Sequence, residues 1–441
     1  MAVVGSGISG LSAGWLLSQR HRVCLFEAEA RIGGHANTVM CPVPEGEVAV
    51  DTGFIVYNEF AYPNLVALFS YLDIPTTATN MGFAVSLDGG RTEYAGRGPG
   101  QLIGSPRNVF DPDHWRMLAG IARFFRTALP RVETMSDDVS LAEFLASEDY
   151  GEAFVNRHLL PMAAAIWSSA PEQMLRYPAR SFLRFFHNHG LLKFRDRPKW
   201  RTVVGGSCEY VRRLVADSPM TLAVGQPVRK LHRNGGETIV ELADGSRHCF
   251  DHVVIATHAD QALELLAAPS ASERDLLSAF TYSMNHAVLH SDARLMPKRR
   301  KLWSSWNYMG AAGARTCSVT YWMNALQPLP TATDLLVSLN PAIAPDPSKV
   351  AARFDYAHPI LDARALAAQR SIWDLQGQQN TWYCGAHFGA GFHEDGLQAG
   401  LAVAEALGGL PRPWRLANPS DRIHVRPVTV PSFESRLEAA E

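Results

Sequence analysis

The first residues able to do chemistry stand at the start of the chain. Gly5-Ser6-Gly7-Ile8-Ser9-Gly10 is a G-x-G-x-x-G turn, and Glu27 follows Gly5 by 22 residues. A turn of this kind lets backbone N–H groups close on a pyrophosphate, whose charge the N-terminus of the following helix favours. Glu27, with Ala28 beside it, is placed to accept hydrogen bonds from the hydroxyls of an adenosine ribose. The pattern predicts a dinucleotide with Gly5, Ser6, Gly7, Ile8, Ser9 and Gly10 around its phosphates. By itself it does not separate NAD from FAD.

A second group of motifs bears on that choice. Arg31-Ile32-Gly33-Gly34 follows Glu27 by four residues and runs into His35. Arg31 can reach a pyrophosphate, while Gly33 and Gly34 let backbone approach a flat ring with no side chain between. Farther on come Val50-Asp51-Thr52-Gly53-Phe54, Gly205-Gly206-Ser207 at a helix start, Ile255-Ala256-Thr257-His258 at a strand end, and Gly385 to Gly400 entering a last helix. In order and spacing these segments resemble the flavin amine oxidase and phytoene-desaturase-like superfamily over nearly the whole chain.

The resemblance implies FAD as cofactor and an α/β fold: a Rossmann-like (GR2-type) FAD-binding domain with an inserted α+β substrate domain. It implies cofactor contacts at Arg31, Gly33, Gly34, His35, Val228, Thr257, Gly385 and Leu397. It also implies a helix N-terminus at the flavin pyrimidine, stabilising negative charge on the reduced ring. Two segments depart from the pattern. Where the superfamily has Gly followed by an acidic residue, this chain reads Gly385-Ala386-His387, which passes the ribityl contact to Glu394, to Asp395 or to backbone. Amine oxidases of the group place a water-bridged lysine beyond the A-T segment. Here no lysine occurs between Lys230 and Lys298, and the stretch reads Met284-Asn285-His286-Ala287-Val288. That absence weakens an amine substrate and favours the desaturase-like side, where a C–H bond is broken without such a lysine.

Gly34-His35-Ala36-Asn37-Thr38, Phe186-His187-Asn188-His189-Gly190, Asn285-His286 and Gly391-Phe392-His393-Glu394-Asp395-Gly396 together resemble one bacterial subgroup of flavin amine-oxidase-like proteins, found beside cyclopropane-fatty-acid-synthase-like methyltransferases. The resemblance implies an acyl substrate, a methyl-branched or unsaturated fatty acyl group of a phospholipid. His286, His187 and His393 are the candidates for proton chemistry, because a neutral imidazole near pH 7 can accept the proton lost when hydride passes to a flavin. The competing reading of each is a satisfied core histidine. No carboxylate or cysteine at ligand spacing accompanies His187-x-His189, so no metal is expected and His189 is read as substrate-lining or structural. Trp303, Trp306, Tyr308 and Tyr321 either line an apolar tunnel or form a sheet core. Lys298-Arg299-Arg300-Lys301 is either a solvated loop or a peripheral membrane contact, where basic residues meet anionic headgroups.

The elements that must position these residues begin with strand Ala2–Val4, a helix from Ser9 to about Gln19 and strand Arg22–Phe26, the β-α-β order of a parallel sheet. The opening strand is short, which leaves room for native residues upstream. A hairpin is expected at Met81–Leu87 and Thr92–Ala95, a capping box at Ser140-x-x-Glu143, and a helix through Tyr210, Val211 and Leu214. Short strands are expected near Val228, Thr238–Leu242 and Arg247–Phe250, and a doubly buried one at Val253–Ala256. Thr381–Cys384 and a helix after Gly396 close the pattern. The FAD-binding domain is thereby assigned to 1–79, 200–271 and 371–409, the substrate domain to 80–199 and 272–370, and a tail to 410–441.

A chain of 441 residues exceeds one typical core. Its net charge of −2 and 19% charged residues exclude a basic nucleic-acid footprint. Six scattered cysteines suit reduced thiols, and neither a membrane span nor a signal peptide is seen, so a cytoplasmic protein is expected. The leading function is an FAD-dependent dehydrogenase or desaturase of an apolar chain. An amine oxidase releasing peroxide, a non-catalytic flavin scaffold or lipid carrier, and an NAD enzyme remain as alternatives.

Overall fold

The computed structural model describes residues 1–428 except 97, 133, 137, 194–197, 235 and 312–317. Among the described residues, five strands form a parallel sheet in the order Thr221–Val224, Cys24–Glu27, Ala2–Val4, Val253–Ile255, Thr381–Tyr383. Ala2–Val4 and Val253–Ile255 are central and wholly buried, which explains their unbroken apolar sequence. One side of the sheet carries helix Ile8–Ser18, which packs closely against the closing helix His393–Ala406. That crossing depends on absent side chains. A Cβ on Gly400 would lie 2.2 Å from Ser9 O, and one on Gly396 would lie 2.9 Å from Ile8 Cγ2 and Ser9 Oγ.

The closing helix therefore begins at His393 rather than after Gly396. Phe392 N–H donates to the Asp395 carboxylate at 2.8 Å, and Gly396 sits inside the helix because the first helix leaves no room for a side chain. Residues 410–428 pack back onto the two helices beside the sheet instead of trailing away. Trp414 stacks on Trp15 at 6.1 Å, and Arg422 pairs with buried Asp395 at 2.7 Å.

A second, seven-stranded sheet takes strands from both inserts, in the order Val350–Ile360, Thr281–His290, Leu336–Leu339, Ser318–Trp322, Trp306–Gly310, Phe83–Leu87, Thr92–Ala95. Its alternation sorts the two faces sharply. One face carries Phe83, Val85, Tyr94, Trp306, Tyr308, Val319, Tyr321, Val337, Leu339, Asn285 and Tyr356, as the registers require. The other carries Ser86, Glu93, Asn307, Thr320, Ser338 and His290, joined by hydrogen bonds such as Thr320 to Ser338 at 2.7 Å and Ser338 to His290 at 2.8 Å. Helices fill the first insert. Ser140 and Glu143 make the expected capping box, and helix Leu160–Trp167 packs on strand Trp306–Gly310. Among the described residues no helix is long and apolar enough to cross a membrane.

Candidate active site

The glycine turn is built as its chemistry requires. Gly5 has φ +101°, and its N–H donates to Phe26 O at 2.9 Å, binding the turn to the second strand. A Cβ on Gly10 would sit 1.9 Å from Gly5 O, so only glycine lets the helix start this close. A Cβ on Gly7 would meet nothing within 4 Å, and the first turn of Ile8–Ser18 contains no acidic residue. The helix N-terminus thus opens, uncapped by any side chain, onto space that suits a pyrophosphate. Glu27 is aimed at the turn: Ser6 N–H and Glu29 N–H donate to its two oxygens at 2.9 Å each. Ala28 is exposed beside it.

The second glycine pair docks on the first turn. Gly33 N–H donates to Ser6 O at 3.0 Å, and a Cβ on Gly34 would lie 3.0 Å from Gly7 Cα. Arg31 folds back over this loop, donating to Gly34 O at 2.8 Å and pairing with Glu29 at 3.1 Å. The Thr257 methyl faces Gly5, and Val228 begins the strand just past Gln226, whose N–H donates to Glu27 O at 2.8 Å. These residues fit an FAD. Gly33, Gly34 and the uncapped helix would hold its phosphates, and two buried imidazole nitrogens, Nε2 of His35 and of His387, have no hydrogen-bond partner among the described residues.

Asp51 joins the segments that the sequence separates. Its Oδ1 accepts from Thr38 Oγ1 (2.6 Å), Ser207 N (2.8 Å) and Ser207 Oγ (2.7 Å), and its Oδ2 accepts from Gln327 Nε2 (2.9 Å). Burial pushes its carboxyl up to about 6, and the hydroxyl and backbone donors oppose that rise. The motifs at 33–38, 50–54 and 205–207 are one structure held by one carboxylate.

Beyond Gly34 lies a cluster of imidazoles. The His35 ring is 5.1 Å from Tyr356, 5.5 Å from His358 and 6.2 Å from His258. Tyr356 Oη accepts from Asn37 Nδ2 at 2.9 Å and lies 2.8 Å from Thr52 Oγ1, locking the large sheet onto the glycine loop. The tautomer of His358 follows from its neighbours. His286 N–H donates to Asn340 Oδ1 (2.9 Å), so Asn340 Nδ2 donates to Asn285 Oδ1 (2.7 Å), and Asn285 Nδ2 donates to His358 Nδ1 (3.2 Å). His358 therefore carries its proton on Nε2. Burial holds His358 down to about 4 and His35 well below the usual imidazole range, with the neighbouring histidines adding to the effect.

Strand alternation separates Asn285 from His286. Asn285 is buried against His358, whereas His286 faces solvent in a pair with Asp355 at 2.5 Å, both side chains more than 60% exposed. The lysine-replacing position that enters the site is Asn285, and His286 does not join the cluster. His187 lies half-buried near the C-terminus of helix Ala179–Asn188, and the ring clusters around His35 do not include it. His393 does enter. Its Nε2 lies 2.6 Å from Tyr210 Oη, and its ring stacks on Phe54 at 3.8 Å. His189 stacks on Phe185 at 3.8 Å and packs near Phe392. Burial depresses His189, His387 and His393 to about 3 each.

The carboxylates expected at the ribityl chain are engaged elsewhere. Glu394 accepts from Asn64 N (3.0 Å), Asn64 Nδ2 (2.8 Å), Leu65 N (2.9 Å) and Gln398 Nε2 (3.0 Å), capping helix Pro63–Tyr71. Asp395 is spent on Arg422 and its own helix start. Gly385 leaves room for the His387 ring, 2.5 Å from where its Cβ would be, and the Leu397 side chain lies in the core. Trp306, Tyr308 and Tyr321 share the sheet face that bears Asn285 and Tyr356. Trp303 does not: it packs with Met296 and Leu336, meets Trp322 edge-to-face and donates to Pro297 O at 2.7 Å. In the basic run, Arg299 pairs with buried Glu93 and Arg300 with Asp334, leaving less charge for a headgroup than the sequence suggests.

Sequence reasoning passed over Asn285, Tyr356 and His358 as site residues. The available signal was the i, i+2 spacing of Tyr356 and His358 on one strand, which puts both on one face. Nothing local announced that this strand pairs with Thr281–His290.

Residues 8–328 match the model of the family described as flavin containing amine oxidoreductase. No match was found among curated proteins. Among solved structures, the chain is similar to a CLA-producing fatty acid isomerase from P. acnes, with TM-score 0.65 and 15% identity over 92% of this chain and 97% of that one. It is similar to cyclohexylamine oxidase from Brevibacterium oxydans IH-35A, with TM-score 0.65 and 16% identity over 92% and 98%. It is also similar to a putrescine oxidase bound to putrescine, with TM-score 0.64 and 14% identity over 92% and 98%. At such identities the likeness speaks for the fold alone. With the family match spanning most of the chain and a phosphate cradle that fits the cofactor, the chain belongs to the flavin containing amine oxidoreductase family and is an FAD-binding oxidoreductase.

Proposed function

We propose that the protein dehydrogenates an apolar, acyl-type chain. The observation that carries this reading is the inner face of the seven-stranded sheet. From Phe83 through Trp306, Tyr308 and Tyr321 to Val337 and Leu339 it holds aromatic and aliphatic side chains, and among the described residues it carries no carboxylate, lysine or arginine. Most of this face is already covered by protein, with Tyr308, Val319 and Val337 at 2% exposure or less, so a substrate would meet it at half-buried Phe83 and Trp306, where burial of apolar area favours hydrocarbon by about 25 cal/mol per Å2. An ammonium group would meet neutral imidazoles and an amide there instead of a carboxylate. When bound, FAD supplies the two-electron acceptor. The chain's own residues hold the substrate against that face, exclude water and receive a proton.

A lipid substrate also calls for contact with a bilayer surface. Phe110 is 86% exposed, with Trp115 and Val109 beside it in sequence and also exposed. Trp115 Nε1–H is satisfied by Val109 O at 2.9 Å, and Arg107 lies on the adjoining short helix. This apolar patch with a basic neighbour suits an interface better than the paired arginines at 299 and 300.

Lipids extracted from cells with and without the protein, compared by mass spectrometry, test the reading. Protein-dependent unsaturation of acyl chains is expected. Unchanged acyl chains together with amine-dependent release of peroxide would replace it with amine oxidation.

A further inference from the structure

We propose that Nε2 of His35 is the proton acceptor of this site. The step rests on the dehydrogenation reading above. One substrate C–H bond gives its hydrogen and electron pair to the bound two-electron acceptor. The electron pair of the neighbouring C–H bond becomes the C=C bond, and the proton of that second bond goes to His35, which becomes imidazolium. Substrate is oxidised and FAD is reduced, and atoms and electrons balance.

Three observations single out His35 among the clustered histidines. It follows Gly33-Gly34 directly, and Gly34 abuts Gly7 of the phosphate turn, so His35 borders the cofactor cradle. Its Nε2 is buried and has no hydrogen-bond partner among the described residues; His387 Nε2 shares this, but its ring lies against Gly385, Phe280 and Phe388 and not on the Gly33-Gly34 loop. Two of its neighbours are otherwise engaged. His358 already accepts Asn285 Nδ2–H on Nδ1 and carries its proton on Nε2, so it gains a proton only by breaking the chain from Asn340. His393 Nε2 is held by Tyr210 Oη. His258, stacked on Tyr282 at 4.4 Å, stands at the strand end after Ala256 and not on the glycine loop.

The electrostatics suit a transient charge. The titratable and charged groups facing His35 are His358 and Tyr356 from strand Val350–Ile360, His258 from the turn after Val253–Ile255, His393 from the closing helix, and Arg31 from its own loop. Burial and these neighbours keep the imidazole neutral at rest. A proton placed on it is retained only while a compensating negative charge is near, which is what two electrons on the acceptor provide. Proton and electron transfer are thereby coupled.

The test is two-electron reduction of the FAD-loaded protein at pH 8 without substrate by electrochemically reduced methyl viologen, which delivers electrons and no protons, with proton uptake read by an indicator dye in weak buffer. Free reduced flavin takes one added proton there. Wild type is expected to take up about two protons per FAD and His35→Gln about one, with FAD content unchanged; His286→Gln, on the exposed face, is expected to keep about two. Uptake of one proton by wild type overturns the assignment, whether or not the variant folds, and so does uptake of two by His35→Gln. The acyl assay separates the two readings. His35→Gln oxidising acyl chains at the wild-type rate removes His35 and keeps the substrate. The expected uptake pattern without any acyl oxidation keeps His35 and removes the substrate.

Discussion

Gln327 grips Asp51 from both sides: Gln327 Nε2 donates to Asp51 Oδ2 at 2.9 Å, and Asp51 N–H donates to Gln327 Oε1 at 2.9 Å, across 276 residues of chain. The pair fastens the second insert to the segment that bears the flavin-type motif. Gln327→Leu leaves a buried carboxylate one donor short and a backbone N–H unpaired. A loss of about 2–4 kcal/mol is expected in urea denaturation at pH 7. A loss below 1 kcal/mol would show that the pair holds nothing together.

Glu394 offers a discriminating substitution. If its carboxylate works only as the cap of helix Pro63–Tyr71, Glu394→Gln lowers stability by about 1–3 kcal/mol and leaves the FAD-to-protein ratio of purified protein unchanged. A drop in bound FAD with unaltered stability would return Glu394 to the cofactor.

Gly10→Ala drives a methyl group into Gly5 O, where the ideal Cβ stands 1.9 Å away. The turn must open, and FAD affinity is expected to fall about tenfold or more, about 1.4 kcal/mol or more. Absorbance of the protein after removal of free FAD reports it. Full flavin retention would mean that the turn is not the phosphate cradle.

The buried histidines set the acid limit of the fold. His189, His387 and His393 at about 3 and His358 at about 4 lie below the unfolded value of 6.5. Below pH 6.5 the unfolded chain binds protons that the folded chain refuses, so stability is full above that pH and falls as pH drops. These four alone give about 5 kcal/mol per pH unit once the unfolded imidazoles are charged, and buried His290, also held down to about 4, adds to the slope. Asp51 acts in the opposite sense, because its folded value of about 6 exceeds 3.8; its contribution grows as pH falls from 6 to 4, by about 3 kcal/mol in all. Denaturation midpoints at pH 7, 6 and 5 should fall steeply, and a flat profile would contradict the burial of these rings.

Much of the fold is legible in local pattern. The strand Ala2–Val4, the hairpin around Asp88-Gly89-Gly90, the capping box at Ser140 and the helix after Ser207 all depend on residues within one turn or one hairpin of each other. Gly396 misled because its reason for being glycine is not local. It serves a crossing with Ser9, nearly 390 residues away, and reads like a helix entry until the two helices are seen together.

The proton chemistry shows the same division. Histidine content and the missing lysine point to imidazole in place of amine, but choosing between Asn285 and His286 requires knowing which face of the strand is buried. Period-two alternation guarantees that one of two neighbours is inside without saying which.

By itself the sequence determined the dinucleotide turn, the flavin-type order of motifs and the absence of an amine-oxidase lysine, because each is a matter of residue type at short spacing. Tertiary structure alone decided that Asp51 joins three motifs to Gln327, that Glu394 and Asp395 are engaged by protein, and that His35, His358 and Asn285 meet. Most of those contacts join elements distant in sequence, up to 330 residues for Glu394 and Asn64, and burial, which sets their protonation, exists only once the chain has folded around them.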